Sequence, residues 1–147
     1  MTEITENTEA ADSGQARTYV LQMPAGMALR NENDRGHWGT LSRKTKALRR
    51  TAYWQTKAAK IPAMQKASVV GVYEPPTPHP RRDPANWYPS FKAVVDGMID
   101  AGMLPDDNSE RLEGPDMRIG DVHPKGRLVL YVTDLSDTVA APDDSNV

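Results

Sequence analysis

Two acidic clusters stand on either side of one amphipathic segment of this chain. The first is Arg81-Arg82-Asp83-Pro84-Ala85-Asn86, and the second is Pro105-Asp106-Asp107-Asn108. A helix between them would bring carboxylates that are distant in sequence close together in space. Carboxylate oxygens are the ligands that a hard cation such as Mg²⁺ prefers, and arginines bind phosphate. These residue types in this arrangement suggest phosphodiester chemistry on a nucleic acid.

The composition excludes several other kinds of site. The chain has 147 residues and 38% hydrophobic residues, which allows one domain with a modest core. It has no cysteine, so disulfides, thiolate zinc sites and cysteine nucleophiles are excluded. The apolar runs are too short to span a membrane, and the N-terminus lacks the pattern of a secretory signal. These features predict a soluble, cytoplasmic protein.

The charge is distributed unevenly along the chain. Residues 1–16 and 136–147 are acidic and polar, and we predict that both are disordered tails around a domain at 17–135. Residues 30–82 hold twelve Lys or Arg and three acidic residues, a net charge of +9. Such a basic region can bind a polyanion. The alternative is a charged surface that contacts only solvent.

Hydrophobic periodicity and turn residues predict an α/β fold with a mixed sheet of about four strands and two main helices. The predicted strands are residues 18–23, 68–73, 111–122 and 128–133. The predicted helices are residues 41–60 and 89–101. Pro62 and Gly102 are the residues that stop them.

The first predicted helix separates apolar from basic residues. Its apolar stripe consists of Leu41, Thr45, Leu48, Ala52 and Ala59. The opposite side carries only basic charge, on Arg43, Lys46, Arg49, Arg50, Lys57 and Lys60. A solvated helix exterior usually mixes signs, so the pattern favours contact with a phosphate backbone. Trp54 is predicted to pack in the core, whereas Trp38 and Trp87 lie in predicted loops where they could stack on unpaired bases.

The second predicted helix places a lysine beside its buried face. Phe91, Val94, Val95, Met98 and Ile99 form that face. Lys92, Asp96 and Asp100 recur every four residues along one flank. Lys92 and Asp96 could also be no more than an exposed i,i+4 pair. Asp106-Asp107 alone would be an ordinary turn after a helix. The histidines lie in separate loops, and His37 is the one we consider first for a functional role.

Three blocks of the sequence resemble the RusA family of Holliday junction resolvases, in the form found in phages and prophages. The blocks are Arg82-Asp83-Pro84-Ala85-Asn86, residues 92–98 (Lys-Ala-Val-Val-Asp-Gly-Met) and residues 100–107 (Asp-Ala-Gly-Met-Leu-Pro-Asp-Asp). The family pattern is an Arg-Asp-x-Asp-Asn start, a lysine-bearing helix, an Ala-Gly turn and a double aspartate. The resemblance covers residues 18–135 and is specific between Asp83 and Asp107.

The resemblance implies a RusA-like fold and a homodimer that cuts four-way DNA junctions with Mg²⁺, or with Mn²⁺, in recombination and repair. The cell would be a bacterium, with the protein encoded by the host or by a phage. By position, Asp83 and Asp107 match metal-binding aspartates, and Asp106 would assist them. Lys92 matches the lysine that acts on the phosphate.

The resemblance also implies that Arg81, Arg82 and Asn86 contact DNA, since they belong to the opening motif. One position departs from the family, because its second aspartate falls at Ala85. Asp106, Asp96 or a water could take that place. Alternatively, the protein binds junctions in a non-catalytic or regulatory role and retains only the fold.

Overall fold

The structure, a computed structural model, describes residues 16–78 and 82–137. Along these residues four strands alternate with two α-helices and one short 3₁₀ helix. The strands are β1 (Thr18–Gln22), β2 (Ala67–Glu74), β3 (Leu112–Ile119) and β4 (Arg127–Asp134). The helices are α1 (Trp38–Ala58), the 3₁₀ helix (Pro84–Trp87) and α2 (Tyr88–Asp100). The predicted α/β fold with a mixed four-stranded sheet and two main helices is confirmed.

The sheet has the strand order β1-β4-β2-β3. Strand β4 is antiparallel to both of its neighbours, and β2 and β3 are parallel. Because parallel strands need a crossover connection, the chain between β2 and β3 must cross the sheet, and α2 makes that crossing. The register of β2 on β3 shifts between Ser68 and Val70.

Both helices cover the same face of the sheet. Along β2 the residues on that face, Ala67, Val69, Gly71 and Tyr73, are buried, and those between them are half-buried. Phe91 of α2 lies so close to Gly71 that a Cβ atom there would overlap its ring. One core cluster joins Leu48 of α1, Phe91 of α2 and the inward residues of the sheet. Lys92, the residue after Phe91, is thereby held at the edge of the core.

The two helices approach most closely at Gly97 of α2. A Cβ atom on Gly97 would overlap the backbone carbonyl oxygen of Arg49 and crowd the Cβ of Ala52. Gly97 is buried, and so is Ala93, one turn earlier. The absence of a side chain at Gly97 lets α1 lie directly against α2, and so sets the spacing between the basic helix and the helix that carries Lys92.

Several sequence-based predictions need correction. Trp54 is not in the core but 63% exposed, because it lies about 200° around α1 from Ala52 and so faces away from the buried stripe of Leu48, Ala52 and Thr56. Thr56 can be buried because its hydroxyl donates to the Ala52 carbonyl oxygen at 2.7 Å. Helix α1 also begins earlier than predicted. Its N-cap is His37, whose Nδ1 accepts the Gly39 N–H at 3.0 Å, so this histidine has a structural role.

The predicted tails fall largely outside the described residues, which exclude 1–15 and 138–147. At the C-terminal boundary Ser136, which was assigned to the tail, is engaged with the domain. Its Oγ accepts the Gln65 N–H at 3.0 Å, and its own N–H is donated to Asp134. Across residues 16–78 and 82–137, none of the helices has the length and apolar character needed to cross a bilayer.

Candidate active site

Lys92 lies between two carboxylates, one from its own helix and one from beyond it. Its Nζ donates to Asp96 Oδ1 at 2.7 Å and to Asp107 Oδ2 at 2.9 Å. Asp106, the residue before Asp107, accepts the backbone N–H of Asp107 through its Oδ1 at 2.6 Å. The lysine side chain remains 40% exposed and that of Asp107 45% exposed. The predicted Lys92–Asp96 pair is therefore part of a larger surface cluster that includes the double aspartate.

The charges of this cluster support one another. The hydrogen bonds to Asp96 and Asp107 raise the pKa of Lys92 above its ordinary value. The hydrogen bond from Lys92 holds the pKa of the Asp107 carboxyl below its usual range. At neutral pH Lys92 is therefore cationic and Asp107 is ionised. With Asp96 and Asp106 counted, the cluster has more carboxylates than ammonium groups, which favours an additional cation.

Asp83 begins the 3₁₀ helix that leads into α2. Its Oδ1 accepts the Ala85 N–H at 3.0 Å, so it is the N-cap of that helix, and Pro84 follows as the first helical residue. The side chain is exposed. Asn86 holds a neighbouring loop through its backbone, since its carbonyl oxygen accepts the Glu32 N–H at 2.7 Å.

The predicted cation cage of Asp83, Asp106 and Asp107 is not assembled as one cluster. Among residues 16–78 and 82–137, no group of three Asp, Glu or His side chains is close enough to hold a metal ion. The donor chemistry nevertheless fits Mg²⁺, which takes carboxylate oxygens, keeps several waters and needs only one or two carboxylates from the protein. Asp106 and Asp107 are adjacent and exposed, and they meet that smaller requirement.

Arg82 lies over the ring of Tyr73 and contacts the chain after β2. Its Nη2 donates to the Thr77 carbonyl oxygen at 3.1 Å, and its guanidinium lies 5.8 Å from the centre of the Tyr73 ring. Tyr73 and Trp87 pack with ring centroids 4.3 Å apart beside a cavity of about 250 Å³. Trp87 therefore packs partly into the core, although the sequence placed it in an open loop. Arg81, the other predicted DNA contact in this segment, lies outside the described residues.

Sequence reasoning missed the residue that fixes the loop before α1. Ser90, fully buried in the first turn of α2, accepts the Arg30 N–H at 2.6 Å and donates to the Arg30 carbonyl oxygen at 2.7 Å. The Arg30 side chain in turn donates to Thr45 of α1 at 2.7 Å. The sequence gives one sign of this connection. A serine lies at the start of a helix whose other buried positions are apolar.

The basic side of α1 is exposed, as predicted, but one of its residues, Arg49, is held by an ion pair. Arg43, Lys46, Arg49, Arg50 and Lys57 are all exposed. Arg49, however, is engaged by Asp100 of α2 in a bidentate pair, with Nε and Nη2 at 2.6 and 2.9 Å from the two carboxylate oxygens. Arg49 therefore joins the two helices, which makes it less available to a ligand than the other four residues.

This pair gives a prediction about stability and pH. The hydrogen bond from Arg49 holds the pKa of Asp100 below its usual range, so the unfolded chain takes up this proton more readily than the folded one. The stabilisation is present at neutral pH and is lost as the pH falls through the lowered pKa. Because both side chains are well exposed, we expect Asp100→Asn to cost only about 0.5 kcal/mol, or about 1–3 °C in Tm, at pH 7.

Thermal unfolding of the parent and Asp100→Asn at pH 7 and pH 3 checks this expectation. The difference in Tm should be smaller at pH 3 than at pH 7. Asp116→Asn is the matched control, because Asp116 pairs with Arg118 of its own strand and joins no two elements. Equal Tm values for Asp100→Asn and the parent at pH 7, or a difference at pH 3 as large as the one at pH 7, would show that the pair does not stabilise the fold.

No family model matches this chain, and no curated protein sequence matches it. The structure brings Lys92, Asp96, Asp106 and Asp107 together at one surface. It leaves Asp83 at the head of the 3₁₀ helix, with no hydrogen bond to that cluster among the described residues. The predicted roles of these residues therefore stay predictions.

Proposed function

We propose that this protein is a Mg²⁺-dependent, structure-selective endodeoxyribonuclease that resolves four-way DNA junctions in the cytoplasm as a homodimer. The observation that supports it best is the exposed ammonium of Lys92 between Asp96 and Asp107. A lysine ammonium has three donors, and two of them are used by these carboxylates. The third can be donated to a non-bridging phosphate oxygen, which is where charge builds during phosphodiester cleavage.

The carboxylates have the complementary task of holding the cation. Asp106 and Asp107 would bind it through exposed oxygens, and Asp83 would join them from the 3₁₀ helix. Bound there, Mg²⁺ or Mn²⁺ would supply an activated water and offset the phosphoryl charge. Asp107 also orients Lys92, so that the cation-binding carboxylate and the phosphate-binding ammonium are positioned by one contact. A homodimer would present two such sites to the two strands of a symmetric junction.

The DNA backbone would lie on the basic side of α1 and on the arginines before the 3₁₀ helix. Arg43, Lys46, Arg50 and Lys57 are exposed along one helix, and Arg82 is fixed near the start of α2. Asn86, the last residue of the Arg82–Asn86 motif, would contact the DNA through its side-chain amide.

One specific observation favours a second candidate, a protein that binds DNA junctions without cutting them. Ala85 occupies the position at which the family carries its second aspartate. A labelled four-way junction, incubated with protein in Mg²⁺ or in EDTA, separates the two. Paired nicks that require Mg²⁺ support the nuclease. A shifted complex without products supports the binding protein and overturns the nuclease.

The basic side of α1 gives a salt-dependence prediction for either candidate. We expect a Lys46→Gln, Arg50→Gln double variant to flatten the plot of log affinity against log salt by about 2 for duplex DNA, since each lost phosphate contact removes about 0.9. Arg49→Gln is the matched control, because Arg49 is already paired with Asp100, and it should change the slope by less than about 0.5. Fluorescence anisotropy from 50 to 200 mM salt measures both. Equal slopes for the parent and the double variant would exclude this side of α1 as the DNA-binding surface.

A further inference from the structure

One arc of α1 carries an exposed tryptophan among cations and no acidic residue. At about 100° per residue, Arg43, Lys46, Arg50, Trp54 and Lys57 fall within about 80° of the helix circumference. We call these five residues the outer arc. They lie opposite the buried stripe of Leu48, Ala52 and Thr56. The whole helix, Trp38–Ala58, contains no Asp or Glu.

The indole of Trp54 is open to a flat ligand. The side chain is 63% exposed. Its ring contact within the protein is an edge arrangement with Tyr53, with centroids 4.8 Å apart and planes at 86°. Whichever ring presents its edge in such a pair, Tyr53 covers at most one face of the indole. Lys57 lies 5.6 Å from the centre of the Tyr53 ring, so a cation borders this aromatic pair.

A lone exposed apolar side chain is normal on a protein surface and needs no explanation. Trp54 differs because of where it lies. It lies at one edge of the outer arc, on the α1 surface that carries the positive charge, with Arg50 one turn before it and Lys57 one turn after it. An aromatic face among cations is the combination that holds single-stranded nucleic acid, in which bases stack on the ring and phosphates pair with the cations.

We propose that the outer arc binds an unpaired, single-stranded segment of nucleic acid, with one base stacked on Trp54 and the flanking phosphates on Arg50 and Lys57. This inference rests on the proposed function only in taking nucleic acid as the ligand. It adds a preference for unpaired bases, which a duplex buries in its stack. An anionic membrane fits the arc less well, because one large apolar side chain offers too little area to insert.

The test is binding of a labelled twelve-nucleotide oligothymidylate and of a duplex of equal length, measured by anisotropy in EDTA so that nothing is cut. We expect Trp54→Ala to weaken binding of the single strand by about 5- to 150-fold, the range of one stacked base, at every salt concentration. The salt slope should not change, because the substitution removes no charge. Duplex binding should change by less than about twofold. Trp54→Tyr, which keeps an aromatic face, should restore most of the affinity.

Trp38→Ala is the matched control. The sequence placed Trp38 in a loop where it could stack on bases, but it is the first residue of α1 and lies outside the outer arc. Although it is 80% exposed, its loss should leave single-strand binding as in the parent. The inference is wrong if Trp54→Ala binds the single strand like the parent, or if both tryptophan variants lose affinity equally. It is also wrong if phosphatidylserine vesicles bind the arc and oligothymidylate does not. Trp54-dependent binding by a parent that never cuts a junction would reject the nuclease alone. Unchanged single-strand binding by Trp54→Ala, with a parent that cuts, would reject only this inference.

Discussion

Replacing Asp107 with Asn is expected to lower junction cleavage by more than about 100-fold and to leave junction binding within about twofold. Asn has nearly the shape of Asp, so the turn after α2 and the fold should survive. It lacks the negative charge that pairs with Lys92 at 2.9 Å and that would bind the cation. Lys92 would keep Asp96, but its ammonium would lose one of the two carboxylates that orient it.

Single-turnover cleavage of a labelled junction, with a parallel gel-shift titration in EDTA, measures the two quantities. Asp121→Asn is the matched control, because Asp121 is an exposed aspartate in the loop between β3 and β4. It should cut at the parental rate. An Asp107→Asn protein that cuts as fast as the parent would remove Asp107 from the site. Equal losses of cutting and binding would mean that Asp107 supports the DNA-bound fold and not the chemical step.

Gly97→Ala is expected to destabilise the fold by about 1–3 kcal/mol, which corresponds to a fall in Tm of about 5–15 °C. A new Cβ at this position would overlap the carbonyl oxygen of Arg49, a backbone atom that can move only if α1 moves. Helix propensity alone predicts the opposite sign, because Ala is favoured over Gly in a helix interior by about 1 kcal/mol. The sign of the change in stability therefore shows which effect is larger in Gly97→Ala, the close contact between the helices or the local helix propensity.

Thermal unfolding followed by far-UV circular dichroism gives the sign. Gly36→Ala is the control, since a Cβ at Gly36 would meet only the side chain of Leu41, at an ordinary contact distance of 3.7 Å. That variant should be as stable as the parent or slightly more stable. A Gly97→Ala protein with an unchanged or higher Tm would contradict the close approach of α1 and α2.

The elements of this fold could be predicted because their ends are marked by residues with local effects. Pro89 lies in the first turn of α2, and Gly102, just after it, has a φ of +102°. Such positions act through the backbone of a few residues and need no knowledge of distant contacts. The strand order could not be predicted in this way. That β4 lies between β1 and β2 depends on pairings between residues more than fifty positions apart, such as Val20 with Tyr131.

Trp54 shows how a correct helix assignment can give a wrong burial assignment. The predicted stripe passed from Ala52 to Ala59 and left out Thr56, and Trp54 was assigned to the core although it lay outside that stripe. In the structure Thr56 is buried, since the backbone of Ala52 satisfies its hydroxyl. The stripe then follows the helical period throughout, which leaves Trp54 on the opposite side.

The candidate site was predictable in part for the same reasons. Lys92 and Asp96 are one turn apart on one helix, so their contact follows from helix geometry alone. The contact between Lys92 and Asp107 depends on how the chain returns after α2, and the sequence analysis did not predict it. Whether Asp83 reaches the same cation depends on the 3₁₀ helix and the residues before it, where no periodicity fixes the path.

The account depends most on Asp83 and Asp107 belonging to one cation site, within one protomer or across a dimer. Titration of Mn²⁺ into the ¹⁵N-labelled protein tests this, because the paramagnetic ion broadens the amide resonances of nearby residues. We predict that the amides of Asp83 and Asp107 broaden together, at the same substoichiometric Mn²⁺ concentration, and that Asp107→Asn abolishes both effects. Broadening at Asp107 with an unaffected Asp83, or broadening at neither residue, would contradict a shared site.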